Sequence, residues 1–471
     1  ARKDFVLKRM ADLGFITAEE YAAAKEQELS FKKSAEKIVA PHFVVMVKEY
    51  LSSKYGENVA ESGGFKVITT LDADLQLLAE ETVEKYAKIN KEKYKASNAA
   101  MVSIDPKNGD LLALVGSADY FDIENEGNFN VATAQRQPGS SFKPFAYATA
   151  LQKGYTDFTV LFDLKTEFNY NCSPDALQKK DQFGIDCYHP QNYDGLYRGP
   201  VTLRQALSQS LNLPSVKTLY LAGVADTIDL AESMGITTLG DRERFGLSLV
   251  LGGAEVKLAD ITSAYGVFAA DGMLSPWSFI QKIESSNGAV LEEKENEPER
   301  VLDVQIARMI NNILSDNSAR APVFGYSSSL YLPGRDVAAK TGTTQENRDA
   351  WVIGYSPTLV TGVWTGNNRQ ESMTQQGAGI SAAGPMWHEF MVKALESYPN
   401  ERFVSPAPLS GNKIMLDGNY IYTKDVMLPS EYHSILYFVN RSDPKGPFPS
   451  DPSKDLQFNN WEWSVQNIFA R

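Results

Sequence analysis

A serine and a lysine three residues apart stand in the segment 137–143, Gln-Pro-Gly-Ser-Ser-Phe-Lys. The Pro-Gly pair predicts a turn, and an apolar helix follows to a stop near Gly154. Ser140 is therefore predicted at a helix N-terminus, with Lys143 one turn later on the same face. A serine hydroxyl becomes a good nucleophile when a base removes its proton, and Lys143 can be this base if burial or a neighbouring positive charge lowers its pKa.

The same Ser-x-x-Lys spacing occurs elsewhere, so the spacing alone is a weak signal. None of the other occurrences follows a Pro-Gly turn into an apolar helix. We interpret these serines as solvated surface residues: Ser30, Ser34, Ser410 and Ser442.

A second motif, Ser210-Leu211-Asn212, lies between a helical stretch that starts near Thr202 and another that is entered at Pro214. One interpretation is that both polar residues simply cap helices, as serine and asparagine often do. The functional interpretation is that Ser210 relays a proton and Asn212 binds a substrate amide.

The third motif, Lys340-Thr341-Gly342-Thr343-Thr344, occurs once. Its small and β-branched residues predict a strand that lines a cleft. Gly342 would permit the close approach of a substrate backbone, and Lys340 and Thr343 could bind a carboxylate. The alternative is an ordinary strand end with a solvated lysine.

Short apolar strands are predicted on both sides of the motifs. Residues 101–104 and 111–115 flank Asn108-Gly109, a strong hairpin signal. Residues 350–354 and 359–364 flank a Ser-Pro-Thr turn. A long and mostly helical stretch separates the two strand pairs, which predicts an α+β fold.

The remaining segments have their own patterns. The first 60 residues are predicted to be helical, with a capping box at Thr17 and Glu20. A strand over 65–71 and a helix over 74–93 follow, and the proline-rich C-terminal segment is predicted to be irregular with one hairpin. We therefore expect four parts: a helical linker over 1–65, a strand-helix part over 66–98, the main domain over 99–395 and a small segment over 396–471.

Composition excludes several classes of protein. A hydrophobic content of 43% excludes bulk disorder, and a net charge of −13 argues against nucleic acid as a partner. The four histidines and two cysteines have no metal-ligand spacing, so we expect neither metal nor cofactor. No apolar run is long enough to span a membrane. Cys172 and Cys187 are close in sequence and either form a disulfide or stay free.

The three motifs in this order resemble those of the penicillin-recognising serine enzymes. Further segments look like the transpeptidase domain of class A penicillin-binding proteins, and the resemblance covers roughly residues 66–395. The N-terminal stretch resembles the linker that follows the glycosyltransferase domain of these proteins. The segments that carry the resemblance are 136–145, 192–195, 199–204, 340–344 with 349–351, and 363–367.

The resemblance implies the fold of the serine β-lactamases, in which helices flank an antiparallel sheet and the active site lies between the sheet and a mostly helical subdomain. It also implies roles in acyl transfer. Ser140 would be the acylated nucleophile and Lys143 the general base. Ser210 and Lys340 would belong to the proton network, and Lys340 would also attract the substrate carboxylate.

The resemblance further implies how substrate is bound. Asn212 would hold the donor peptide, Thr341 and Thr343 would line the carboxylate site, and Gly342 would also belong to the substrate-binding residues. The backbone N–H groups of Ser140 and Thr343 would form the oxyanion hole.

The implied function is a peptidoglycan D,D-transpeptidase that cross-links stem peptides, releases D-alanine and binds β-lactams. A D,D-carboxypeptidase and a β-lactam-binding scaffold or sensor are the alternatives. A class A β-lactamase is disfavoured, because its Glu-x-x-Leu-Asn motif would need a glutamate where Ser208 stands.

The resemblance also implies a place in the cell. We expect the outer face of the bacterial cytoplasmic membrane, with cell-wall synthesis proteins as possible partners. Since the chain begins Ala1-Arg2-Lys3, we expect a fragment of a longer protein whose membrane anchor and glycosyltransferase domain precede it. No glycosyltransferase activity is expected from this chain. An extracytoplasmic location would favour pairing of Cys172 with Cys187.

Overall fold

The computed structural model describes residues 2–27, 38–420 and 431–469. The chain divides into two units, Ala1–Pro41 and His42–Arg471. The first unit contains α1 (Arg2–Asp12) and α2 (Ala18–Glu26). The predicted capping box is confirmed: the Glu20 N–H donates to the Thr17 hydroxyl, and the Thr17 N–H donates to the Glu20 carboxylate. Ser30 and Ser34 lie outside the described residues.

The helices from residue 41 onward include the predicted helix over 74–93, which runs from Ala73 to Tyr94. They are α3 (Pro41–Tyr55), α4 (Glu57–Ser62), α5 (Ala73–Tyr94), α6 (Lys143–Gln152), α7 (Leu203–Ser208), α8 (Asn212–Ala222), α9 (Val224–Ser233), α10 (Leu258–Ala269), α11 (Val304–Ser315), α12 (Asn317–Phe324), α13 (Gly384–Ala394), α14 (Ile435–Phe438) and α15 (Phe458–Ser464).

The strands include all those predicted from sequence. They are β1 (Lys66–Thr69), β2 (Asn98–Ile104), β3 (Leu111–Val115), β4 (Gln135–Arg136), β5 (Val160–Asp163), β6 (Gly199–Thr202), β7 (Val256–Lys257), β8 (Met273–Leu274), β9 (Ile280–Glu284), β10 (Val290–Glu293), β11 (Glu299–Arg300), β12 (Ala338–Thr343), β13 (Asp349–Tyr355) and β14 (Val360–Gly366).

A five-stranded antiparallel sheet with the order β12-β13-β14-β2-β3 forms the centre of the second unit. Helices α5 and α13 pack on one face, and α10 packs on the other. Strands β13 and β14 are buried along their whole length because helices cover both faces. The strand that carries the third motif, β12, stands at the edge of the sheet.

A helical subdomain built from α6, α7, α8 and α9 lies beside this edge strand. Helix α6 is buried and largely apolar along its length, so it packs against neighbours on all sides. The turn before α6 contacts β12 directly, which brings the first and third motifs together. The α+β fold with a sheet and a helical subdomain is confirmed.

The loop between β5 and β6 contains the two cysteines. Cys172 and Cys187 form a disulfide, so the alternative of free thiols is wrong. Glu167 lies beside this disulfide as the third member of a potential metal-ligating group, but thiols that are joined to each other offer no thiolate. Its carboxylate instead accepts hydrogen bonds from two backbone N–H groups.

The C-terminal segment is irregular, as predicted. Within 396–420 and 431–469 its regular elements are short helices, and the expected hairpin is not found there. Prolines explain this, since each removes a backbone donor that a strand pair would need. Among the described residues, no helix combines the length and apolarity needed to cross a membrane.

Candidate active site

The turn that carries Ser140 is held by two hydroxyl groups and by its close approach to β12. Gly139 adopts a left-handed φ of 55°, and a Cβ there would lie 2.4 Å from the Thr343 carbonyl oxygen. The Ser141 hydroxyl donates to the Pro138 carbonyl (2.7 Å), and the Tyr265 hydroxyl donates to the Ser141 carbonyl (2.6 Å). Ser141 is thereby buried, whereas Ser140 is partly exposed at the start of the helix. Ser140 therefore has the accessible hydroxyl of this turn.

Lys143 points from α6 toward the second motif. Its fully buried ammonium donates to the carbonyls of Ser210 (2.7 Å) and Leu211 (3.0 Å) and to Asn212 Oδ1 (2.8 Å). Among the described residues, no hydrogen bond joins it to the Ser140 hydroxyl. Lys143 must therefore leave one of these acceptors before it takes the Ser140 proton, a change that free enzymes commonly require.

Burial is the main cause that lowers the pKa of Lys143 well below its usual value. The positive charge of Lys340 lowers it further, and the negative charge of Asp163 opposes both effects. The three oxygen acceptors can hold the protonated amine, while burial and Lys340 make its proton easy to lose. Once it has lost this proton, the neutral amine of Lys143 can act as a general base.

Lys340 occupies the facing side of the cleft on β12. Its ammonium donates to the Ser210 hydroxyl (2.7 Å) and to the Thr341 carbonyl (2.9 Å). Burial lowers the pKa of Lys340 to about 7, and the charge of Arg320 contributes. Arg320 is a buried residue of α12 that no motif or spacing had indicated.

Ser210 lies between the two lysines. Its hydroxyl accepts from Lys340 and lies 3.5 Å from the Lys143 ammonium. The residue adopts a left-handed φ of 60°, which costs a non-glycine residue about 1 kcal/mol or more. The turn between α7 and α8 therefore holds this hydroxyl where a proton could pass between the lysines.

Asn212 begins α8, and two residues of the β5–β6 loop hold it. Its backbone N–H donates to Asn192 Oδ1 (2.7 Å), and its side-chain amide donates to the Gln191 carbonyl (2.7 Å). Asn192 was part of the family resemblance, but sequence reasoning gave it no role. Its position in a conspicuous Asn-Tyr-Asp-Gly segment was the available signal.

Gly342 lies against the turn before Ser140, and its role beside a substrate backbone stays a prediction. A Cβ there would lie 2.2 Å from the Pro138 carbonyl oxygen, so a glycine is needed to admit the turn before Ser140. Thr343 follows it, and its hydroxyl accepts from the Gly379 N–H (3.0 Å). Thr341 is buried on the same strand, β12.

The structure thus brings the three motifs together. Ser140 and Lys143 lie on α6 and its preceding turn, Ser210 and Asn212 lie at the start of α8, and Lys340 lies on β12. Ser410 and Ser442 are exposed elsewhere on the surface, as predicted. Fold and motifs together define the class of penicillin-recognising serine enzymes.

Comparison with known proteins gives the family. The model described as the penicillin-binding protein transpeptidase domain matches residues 99–391. The chain is 32% identical to penicillin-binding protein 1A of Aquifex aeolicus (strain VF5) in an alignment of 487 positions, gaps included, that covers 86% of this chain. It is 29% identical to penicillin-binding protein 2D of Bacillus subtilis (strain 168) in an alignment of 470 positions that covers 96% of this chain. The match covers 64% of the length of each relative.

Solved structures agree with this family. PonA1 from Mycobacterium tuberculosis matches with a TM-score of 0.66 and 29% identity, covering 79% of this chain and 96% of that one. The same protein in complex with penicillin V matches with a TM-score of 0.63, 29% identity and coverage of 79% and 97%. Penicillin-binding protein 1A from Haemophilus influenzae shares the fold, with a TM-score of 0.69, 23% identity and coverage of 88% and 79%. The chain belongs to the penicillin-binding proteins that carry a transpeptidase domain.

Proposed function

We propose that this chain is a peptidoglycan D,D-transpeptidase that forms an acyl-enzyme on Ser140. The observation that carries the proposal is the Ser210 hydroxyl between the ammonium groups of Lys143 and Lys340, with the partly exposed Ser140 three residues before Lys143. Two buried amines with lowered pKa values beside a serine suit proton transfer at neutral pH. Binding of penicillin V by a solved relative supports a β-lactam as ligand.

Acylation follows from the roles that we assign to these residues. Ser140 Oγ bonds to the carbonyl carbon of the penultimate D-alanine, while its proton passes to Lys143. The N–H groups of Ser140 and Thr343 stabilise the oxyanion. The C–N bond to the terminal D-alanine then breaks, and the proton reaches the leaving amine through Ser210.

Transfer to an acceptor completes the reaction. An acceptor amine attacks the ester carbonyl and gives up a proton to the base, and Ser140 Oγ leaves with a proton. In both steps Asn212 would bind the donor amide, and Lys340 with Thr341 and Thr343 would bind the terminal carboxylate. Gly342 admits the turn before Ser140 and would also let the substrate backbone approach β12.

The proposal also includes the substrates and the cellular location of the enzyme. Its substrates are stem peptides that end in D-alanyl-D-alanine, and its place is the outer face of the cytoplasmic membrane, among cell-wall synthesis proteins. The disulfide between Cys172 and Cys187 supports an oxidising compartment. We assign no glycan polymerisation to this chain, and we keep the boundaries at 65/66, 98/99 and 395/396 as a proposed division.

Product analysis tests the proposal and separates it from a carboxypeptidase. The protein is given a stem peptide ending in D-alanyl-D-alanine, with and without an amine acceptor. We expect release of D-alanine together with a peptide joined to the acceptor, and neither with Ser140→Ala. Release of D-alanine with only a water-derived product at saturating acceptor would show a carboxypeptidase. Acylation by penicillin without any reaction of the stem peptide would show a β-lactam-binding scaffold or sensor.

A further inference from the structure

The start of α8 is held from outside the helix. Leu211, the residue before the helix, provides no side-chain cap. The Asn192 side chain takes this place from 20 residues earlier in the chain by accepting the Asn212 N–H. The Gln191 carbonyl accepts the Asn212 side-chain amide, which turns Oδ1 toward Lys143. The β5–β6 loop thus fixes both the backbone and the side chain of Asn212 in the second motif.

The orientation of Asn192 is itself determined by Asp163. Its amide nitrogen lies 2.8 and 2.9 Å from the two oxygens of the Asp163 carboxylate and 2.7 Å from the Leu196 carbonyl. All three of these oxygen atoms are acceptors, so only the NH₂ group of Asn192 can face them. The opposite amide orientation would place its oxygen against a carboxylate. Asn192 Oδ1 is consequently directed at the Asn212 N–H.

Asp163 is fully buried at the end of β5, and its charge has partners. The Arg198 N–H donates to it at 3.1 Å, and the Arg198 guanidinium lies 3.8 Å away. Lys217, in the second turn of α8, also favours its charged form, although burial raises the pKa of Asp163. The carboxylate therefore connects β5, the loop and the helix that begins with Asn212.

We propose that Asp163 and Asn192 are positioning residues for acylation of Ser140. Asp163 orients the Asn192 amide, and Asn192 holds Asn212 and the preceding Ser210 turn against Lys143. The inference rests on the proposed function, because it concerns the same acylation. It adds two residues that touch neither the nucleophile nor, by the roles assigned above, the substrate.

Electrostatics provides a second connection between Asp163 and the reaction. The charged groups that act on Lys143 are Lys340, which lowers its pKa, and Asp163, which raises it. Lys217 and Arg198 act on Asp163, and Arg320 acts on Lys340. Replacing Asp163 by a neutral residue should therefore move the pKa of Lys143 downward. A residue that only supported folding would leave this pKa in place.

The rate of acylation by a fluorescent penicillin tests the role of Asn192. We expect Asn192→Ala to slow acylation roughly 10- to 100-fold, because the second motif loses its fixed position. Asn98→Ala is the matched control: Asn98 is also buried, accepts the Ala118 N–H at 2.8 Å and donates to Asn368. It should lower Tm comparably and leave acylation unchanged. Equal acylation rates for Asn192→Ala and the wild-type protein would overturn the proposal.

An exchange of the two side chains tests their pairing. Asn192→Asp alone sets two carboxylates against each other and should slow acylation. Adding Asp163→Asn restores one donor and one acceptor between the two side chains, although the Leu196 carbonyl then faces a carboxylate, and should recover part of the loss. A double variant no faster than Asn192→Asp would overturn the pairing.

The pH profile separates positioning from support of the fold. In Asp163→Asn, the lower pKa of Lys143 keeps the base neutral in more acidic solution. The acid limb of the acylation profile should therefore move to lower pH, and an unmoved limb would contradict the proposal. If the folded wild-type protein itself were not acylated, the proposed function would fail instead, so the two failures are distinguishable.

Discussion

Two segments of this protein share the Ser-x-x-Lys spacing but have opposite surroundings. Lys143 is fully buried and donates to three oxygens, whereas Lys445 is exposed. Ser140 is at the start of a buried helix, whereas the Ser442 hydroxyl donates to Asn440 on a surface loop (2.8 Å). The Ser-x-x-Lys spacing can thus bring a lysine close to a serine, but the lysine becomes a base for that serine only where burial lowers its pKa.

The difference begins in the residues around each pair. Pro138-Gly139 turns the chain into α6, whose apolar side chains pack into the helical subdomain. At the second segment, Pro444 stands inside the Ser-x-x-Lys pair itself, and no helix follows at once. Lys445 is therefore exposed on a surface loop rather than buried along a helix.

The largest effect is expected from the nucleophile. Ser140→Ala should abolish the covalent penicillin adduct, because no other hydroxyl has the same place, while Ser442→Ala should retain it. Mass spectrometry of proteolytic peptides is the measurement. An adduct on Ser141, whose hydroxyl is bound to the Pro138 carbonyl, would contradict the assignment within the motif.

The base is next. Lys143→Ala should slow acylation by about 10²–10⁴-fold, the usual cost of losing a general base. Lys445→Ala has the same change of side chain at the exposed segment and should react like the wild-type protein. Stopped-flow measurement with a fluorescent penicillin gives both rates. Similar losses in the two variants would remove the distinction between the segments.

Removal of the neighbouring charge should change the pH profile. Lys340 lowers the pKa of Lys143, so Lys340→Met should raise it. Since the neutral amine is the base, acylation is lost below its pKa, and the acid limb should move to higher pH. The maximum rate should also fall by about 10²-fold, because a cation near the substrate carboxylate is gone. A limb that stays in place would show that Lys340 acts only on binding.

The smallest effect concerns the disulfide, which lies outside the cleft. Replacing both Cys172 and Cys187 by alanine should lower the free energy of unfolding by ~3 kcal/mol in the chain-entropy model, since the two are 15 residues apart. Denaturant unfolding measures this loss. Reductant should lower the stability of the wild-type protein but leave that of the variant unchanged. Free thiols in the unreduced, denatured wild-type protein would contradict the pairing.

Local sequence patterns predicted many of the strands and helices. Asn108-Gly109 predicted the hairpin of β2 and β3, which forms with Gly109 at a φ of 73°. Apolar runs predicted β13 and β14, and the Pro-Gly turn predicted the start of α6. The hairpin in the C-terminal segment was not found in its described part, because turn-forming residues there mark bends rather than paired strands.

In the candidate site, too, some features could be predicted from local sequence and others depend on contacts between distant residues. Serines and lysines at short spacings were visible in the sequence, because three residues set their relation within one helical turn. The contact of Lys143 with Ser210 joins residues 67 apart, and that of Lys340 with Ser210 joins residues 130 apart. Nothing local in the sequence indicated Arg320 or Asp163, whose side chains act through space.

By itself, the sequence determined the family, the order of the three motifs and the elements that carry them, because turns and helix starts depend on neighbouring residues. Only the tertiary structure decided which lysines lose their water, why Gly342 must be a glycine and how Asn192 reaches Asn212. The physical reason is that burial and charge depend on everything packed around a group, and most of that packing comes from distant parts of the chain.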